Sequence, residues 1–147
     1  MEFKIRPVRK SDYSDLIEMF KEFATFQQTP ERMVNSVAEM EKEAEFLNGF
    51  MVETASGTIA GYATWFFAYF TWIGKSVYMD DLYVKPEYRG NGLGQKLINS
   101  VIQKAKQENC KRVHWQVSKW NKSAIGFYKK LGAVVDDVEL NCDYMMI

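Results

Sequence analysis

The chain has 147 residues, of which 47% are hydrophobic and 26% charged; these values suit one folded domain with a sizeable core and exclude a disordered chain. Its 19 basic residues cancel its 19 acidic ones, which removes the basic face that bulk nucleic-acid binding needs. The two cysteines, Cys110 and Cys142, have no metal or redox spacing and read as free thiols in a reducing compartment.

The opening stretch MEFKIRPVRK lacks the apolar segment of a secretory leader, and no apolar run reaches the ~20 residues of a membrane span. A cytoplasmic protein is expected. Phe3, Ile5 and Val8 predict a first strand ending near Pro7. Ser11 is placed to cap a helix running to about Phe23, with Tyr13, Leu16, Ile17, Phe20 and Phe23 on its buried face. Residues 24–31 read as a loop. Ser36 and Glu39 form a capping box that opens a second helix, closed by Asn48-Gly49. Two strands over 50–53 and 58–69 make a hairpin, with Gly57 in its turn. The second of these strands is apolar on both faces, which predicts cover on both sides.

A strand from Lys75 to Val84 follows and carries two adjacent carboxylates, Asp80 and Asp81. After Pro86 the chain passes through Arg89-Gly90-Asn91-Gly92-Leu93-Gly94 into a strongly amphipathic helix. A further strand over 112–118, a helix over 122–131 capped by Asn121 and closed by Gly132, and a last strand within 133–147 complete the chain. The predicted order is β-α-α-β-β-β-α-β-α-β, an α/β fold in a single domain over 1–147.

Strand, glycine turn and helix start together make an anion site, because helix N-termini present free N–H groups and a partial positive charge. Three nucleotide readings fail on spacing. A dinucleotide fingerprint needs G-x-G-x-x-G and a later acid, whereas the turn here is G-x-G-x-G and no acid stands at 111–113. A Walker A loop needs G-x-x-x-x-G-K-[ST], and a kinase loop needs a far longer domain.

A fourth reading fits. Residues 89–94 resemble the R/Q-x-x-G-x-G/A motif with which GNAT acetyltransferases bind the pyrophosphate of acetyl-CoA. Residues 120–133, WNKSAIGFYKKLGA, resemble that superfamily's N-x-x-A-x-x-F-Y-x-x-x-G-A signature. The opening Ile5-Arg6-Pro7 with Ser11-Asp12 is also similar to a GNAT start. Within the superfamily, Gly61-Tyr62-Ala63, residues 72–75, residues 78–81 and residues 88–90 resemble the spermidine/spermine N-acetyltransferases. Residues 70–72 (FTW) and 84–88 (VKPEY) are nearer the thialysine-acetylating branch. Phe70 and Gln27 stand where the polyamine enzymes carry acids, which argues against a polycation acceptor.

The resemblance implies a GNAT fold, a mostly antiparallel mixed sheet flanked by helices. It also implies a homodimer and acetyl transfer to a primary amine of a small molecule by direct attack in a ternary complex. An acceptor ammonium must lose its proton, an oxyanion must be stabilised and a thiolate protonated. Asp80 and Asp81 are then acceptor-site residues, with Asp80 as the base; the bland alternative is a carboxylate paired with a Lys or Arg. Neighbouring strand residues face opposite ways, so at most one lines a given face unless a bulge re-aims the other. Tyr128 is implied as the acid that protonates the CoA sulfur, the alternative being a core aromatic beside Phe127. Asn121 and Ser123 are implied contacts of the cofactor arm, and Asn121 also suits a helix cap.

The backbone of Leu82, Tyr83 and Val84 would pair with the pantetheine as an added strand. The amides of Gly90, Asn91, Gly92, Leu93, Gly94 and Gln95 would hold the pyrophosphate. Arg89 would touch a phosphate or cap the turn. Trp72 would wall the acceptor site by cation–π attraction or pack in its loop. His114 reads as structural, and no metal is expected. A protein lysine or N-terminal acetyltransferase and a non-catalytic CoA sensor are the competing readings.

Overall fold

The computed structural model describes residues 1–147, which form two compact units, residues 1–115 and 116–147. The first unit holds a five-stranded sheet in sequence order: β1 (Phe3–Pro7), β2 (Asn48–Thr54), β3 (Ile59–Phe70), β4 (Gly74–Val84) and β5 (Val113–His114). The first four strands run antiparallel to their neighbours, and β5 joins β4 in parallel. The expected mixed, mostly antiparallel sheet is therefore present.

Helix α1 (Tyr13–Phe26) and the short α2 (Val37–Lys42) cover one face. Tyr13, Leu16, Ile17 and Met19 pack with Met40, Met51, Tyr62 and Tyr83 into one apolar cluster. Helix α3 (Leu93–Gln107) covers the other face with Leu93, Leu97, Ile98, Val101 and Ala105, the stripe that its 3.6-residue period predicts. Arg6 is nearly buried and anchors the N-terminal corner. Its guanidinium grips Asp12 with two 2.8 Å bonds and reaches Glu53 at 3.1 Å.

Several boundaries differ from expectation for identifiable reasons. Asp12, not Ser11, precedes α1, because a 3-10 turn over Lys10–Asp12 comes first and Asp12 spends its carboxylate on Arg6 and the Arg9 N–H. α1 continues to Phe26, three residues beyond the predicted end. Ser36 does accept from the Glu39 N–H, but its own N–H goes to Asn35 Oδ1 and Glu39 pairs with Lys42, so the capping box is half formed. Asn48-Gly49 does not close α2; it opens β2, and a Cβ at Gly49 would meet the Ala63 carbonyl at 2.7 Å. β3 is buried from Ile59 to Trp65 and then emerges, with Phe66, Phe67 and Tyr69 exposed. It is covered over half its length only.

β5 is two residues long rather than the seven predicted. It pairs only with Val77 and Tyr78, which leaves the outer edge of β4 without a strand from Met79 to Val84. In the second unit, α4 (Lys122–Leu131) has the predicted bounds. The expected last strand is absent. No partner strand meets residues 133–147, and Val134, Val138, Leu140 and Tyr144 stand exposed; alternation without a sheet edge to pair with does not make a strand.

Candidate active site

The β3–β4 ladder carries the site. Thr64 pairs with Asp81 and the next residue, Trp65, pairs with Met79. Asp80 is therefore an extra residue, a β-bulge of the kind that re-aims one of two neighbouring strand residues. The bulge shifts the phase of β4. Tyr83 and Asp81 share a face with Tyr78, through their partners Tyr62, Thr64 and Phe66, whereas unbroken alternation would have put Asp81 opposite Tyr78.

The two carboxylates act on one locality. The Asp80 charge is felt at both Asp81 and Tyr62. Asp80 is exposed, yet the protein around it still disfavours its charge and pushes its carboxyl upward. Asp81 is more enclosed. Burial first and the Asp80 charge second raise it to about 6, against the pull of a hydrogen bond from Tyr62. That bond runs from the Tyr62 hydroxyl to Asp81 Oδ2 at 2.8 Å, while the Asp81 N–H donates to Thr64 Oγ1 at 3.2 Å. No Lys or Arg forms an ion pair with either aspartate. The bland reading of these acids, as halves of structural salt bridges, does not hold.

The glycine turn has the conformation its sequence implies. Gly90 (φ 86°) and Gly92 (φ 71°) adopt left-handed backbone, and a Cβ on either would meet nothing within 4 Å, so backbone geometry demands glycine while the space above stays open. Gly92 is the α3 N-cap and offers no side-chain acceptor. The N–H groups of residues 90–95 donate to no acceptor within the protein. Six consecutive free donors at the start of a 15-residue helix suit a diphosphate.

Arg89 serves the turn. Its Nε donates to the Val84 carbonyl at 3.0 Å, and its guanidinium lies over Phe26 and Tyr83 at 5.4 and 5.8 Å from the ring centres. Asn91 Nδ2 bonds the Tyr88 carbonyl at 2.9 Å.

In the second unit, Asn121 Oδ1 caps α4 by accepting the Ala124 N–H at 3.2 Å. Ser123 lies in the first turn of that helix. Tyr128 is 8% exposed and its ring centre is 5.4 Å from that of Phe127. Burial pushes its phenol up to about 12, so it is protonated throughout the neutral range and able to donate.

Phe70 and Trp72 do not join the aspartates within one chain. Phe70 lies six residues beyond the Asp81 partner on β3, about 20 Å at ~3.4 Å per residue. It packs instead under Arg112, at 4.5 Å, and against His114, at 5.5 Å. His114 also packs on Tyr78 at 5.5 Å, in keeping with a structural histidine. Trp72 is 97% exposed at the β3–β4 turn, so it neither walls a site nor packs in its loop within one chain. Gln27 follows α1 as its C-cap.

Sequence reasoning missed Tyr62 as a member of the site. It was noted only as part of Gly61-Tyr62-Ala63, because the diagonal that joins it to Asp81 exists only once the bulge is known. A signal was available: the apolar positions Val77 and Met79 are odd and Leu82 and Val84 are even, a change of phase that requires one inserted residue.

The sheet opens beyond Tyr78 on the strand that carries the acid-bearing bulge and leads into the glycine turn with free amides. The sequence pattern of the acetyltransferase (GNAT) family matches residues 13–133. The chain belongs to this family, and it is an acetyltransferase. It is 33% identical to the thialysine N-epsilon-acetyltransferase of Mus musculus over 141 residues, covering 88% of this chain and 83% of that one. It is 27% identical to the human spermidine/spermine N(1)-acetyltransferase-like protein 1, covering 90% of this chain and 20% of that much longer one. The crystal structure of a Clostridium acetobutylicum protein, described as a predicted acetyltransferase with acetyl-CoA, shares the fold with a TM-score of 0.75 at 20% identity, over 97% of this chain and 96% of that one. No helix is long and apolar enough to cross a membrane.

Proposed function

We propose that the chain transfers the acetyl group of acetyl-CoA to a primary amine of a small molecule, of lysine-like or diamine type, by direct attack in a ternary complex. The observation that carries this reading is the pair of carboxylates on β4 with no protein cation beside them. An ammonium group is the missing partner. Asp80, unbonded on its bulge and pushed upward by the partial desolvation of its charge, is the proton acceptor, directly or through water; a raised carboxyl is better matched to that task than an ordinary one. Asp81 holds the ammonium.

Acetyl-CoA, when bound, supplies an activated thioester. The row of free amides at residues 90–95 fits its diphosphate, and the unpaired edge of β4 at Leu82 and Tyr83 fits its pantetheine amides as an added strand. The Val84 carbonyl is already taken by Arg89. Asn121 and Ser123 serve the same arm in this reading, and Tyr128 donates its phenolic proton to the departing sulfur. Residues 1–147 act as one functional domain, since the family pattern runs across both compact units. The protein works in the cytoplasm.

A homodimer completes the proposal. The aromatic run Phe66, Phe67, Tyr69 and Trp72 is exposed on the single chain, which suits burial against a second copy; in such a dimer Trp72 and Phe70 belong to the partner-facing side of the acceptor site. The neutrality of Phe70 therefore says little about charge near Asp81 in its own chain.

The relatives favour thialysine or a lysine analogue over a polyamine. A thiol-release assay across thialysine, lysine analogues, diamines, polyamines and amino sugars tests this. The expected ranking puts a thialysine-like amine first. Spermidine as best substrate would refute the acceptor assignment, and acetyl-CoA binding without transfer to any amine would refute the enzyme reading.

A further inference from the structure

We infer that Tyr62 is a positioning residue: its hydroxyl anchors Asp81 as a fixed receptor for the acceptor's ammonium group and leaves Asp80 as the mobile carboxylate beside it. This rests on the acceptor reading just given and adds a residue and a division of labour to it.

The geometry is asymmetric. Asp81 has two tethers, the Tyr62 hydroxyl on Oδ2 and Thr64 Oγ1 on its backbone N–H, and Oδ1 remains unbonded. The Asp80 carboxylate has neither a hydrogen bond nor an ion pair. Tyr62 is 0% exposed, and its ring is locked in the core, with Phe20 at 5.3 Å and Tyr83 at 6.1 Å. A hydroxyl fixed in this way cannot follow a wandering carboxylate, so orientation runs from the core outward to Asp81. Tyr62 also stays a donor at all working pH. Burial chiefly, then the charges of Asp81 and Asp80, hold its phenol far above its ordinary value, with a smaller contribution from Tyr83. The only charged or titratable groups that act on Asp81 are Asp80, its neighbour on β4, and Tyr62 itself.

The bond can be removed with little change of shape by Tyr62→Phe. A hydroxyl donating to a carboxylate anion strengthens the anion. Its loss is expected to raise KM for the amine about tenfold, in line with a charge-assisted bond, with little change in kcat or in KM for acetyl-CoA. The acid limb of kcat/KM for the amine is expected to move to higher pH. Tyr62→Phe added to Asp81→Asn is expected to add nothing to the amine KM beyond Asp81→Asn alone, because the carboxylate charge that receives the ammonium is already gone.

Equal losses from Tyr62→Phe in both backgrounds, or an unmoved acid limb, would overturn the inference and leave Tyr62 a core residue. Asp81→Asn with an unchanged amine KM would overturn the acceptor reading together with this one. An impaired Asp81→Asn beside a normal Tyr62→Phe would overturn this one alone. Should Tyr62→Phe fail to fold, 3-fluorotyrosine labelling of the otherwise native protein replaces it. One fluorine resonance is then expected to titrate with Asp81, to shift when the amine substrate binds, and to lose both responses in Asp81→Asn. A set of tyrosine resonances indifferent to that substitution would overturn the inference.

Discussion

Replacing Asp81 with asparagine is expected to stabilise the protein while disabling it. The Asp81 carboxyl stands at about 6 in the fold against an ordinary 3.8, chiefly through burial. Its anion is thus disfavoured by up to about 3 kcal/mol, at ~1.4 kcal/mol for each tenfold change in proton affinity. Because the folded state holds this proton more tightly than the unfolded chain, the penalty is fully present above about pH 6 and fades as pH falls toward 3.8. Asparagine carries no charge and keeps an oxygen for the Tyr62 hydroxyl. Since Asp81 retains some solvent contact, we expect a gain of about 1–3 kcal/mol in urea unfolding near neutral pH, readable against a typical total of about 5–15 kcal/mol. The gain should shrink toward zero near the ordinary carboxylate range. In the same variant kcat/KM for the amine should fall ~100-fold or more. A variant no more stable than wild type at neutral pH, or a gain that persists unchanged in acid, would refute the reasoning.

Asp12→Asn leaves the buried Arg6 with Glu53 as its only carboxylate and should cost about 3 kcal/mol in denaturant unfolding. Arg6 holds the Asp12 carboxyl below its ordinary value, so this stability is present above the ordinary carboxylate range and is lost as pH falls through the lowered folded value; the variant should lack that acid-sensitive component. Gly92→Ala forces a Cβ into left-handed backbone at φ 71°, at about 1–2 kcal/mol. In isothermal titration its loss of acetyl-CoA affinity should exceed any change in amine KM, since the cost falls on the amide row. Tyr128→Phe should bind acetyl-CoA normally in titration while kcat drops about 100-fold; an unaltered kcat would return Tyr128 to the role of a core aromatic.

The parts of the fold legible in the sequence are those decided locally. α3 declares itself by period and by the glycines before it, and α4 by Asn121 and Gly132 at its two ends. The same locality explains why the glycine turn and Tyr128 could be singled out from motifs alone. What escaped was decided by partners distant in sequence. Ser11 lost its capping role because Asp12 had a buried arginine to satisfy, and Asn48-Gly49 became strand because Ala63 and Val8 close over it. The segment 133–147 alternates as a strand does but meets no edge. Tyr62 shows the limit most clearly, since its tie to Asp81 depends on a register that one inserted residue sets. Phe70 reads in the sequence as a missing acid, whereas its place in the fold is beneath the Arg112 guanidinium.

The bulge at Asp80 also makes that residue dispensable to the sheet. Met79 already has Trp65 across the ladder and Asp81 already has Thr64, so excising residue 80 would bring two correctly paired neighbours together with no side chain changing face. Sheets ordinarily resist single deletions, because every residue beyond the cut is turned over. Here the resistance is missing at one position, the one occupied by the exposed carboxylate. Hydrogen-bond arithmetic gives the backbone no reason to keep an amino acid there, and a shortened β4 offers a way to withdraw that carboxylate while leaving the register on either side as it stands.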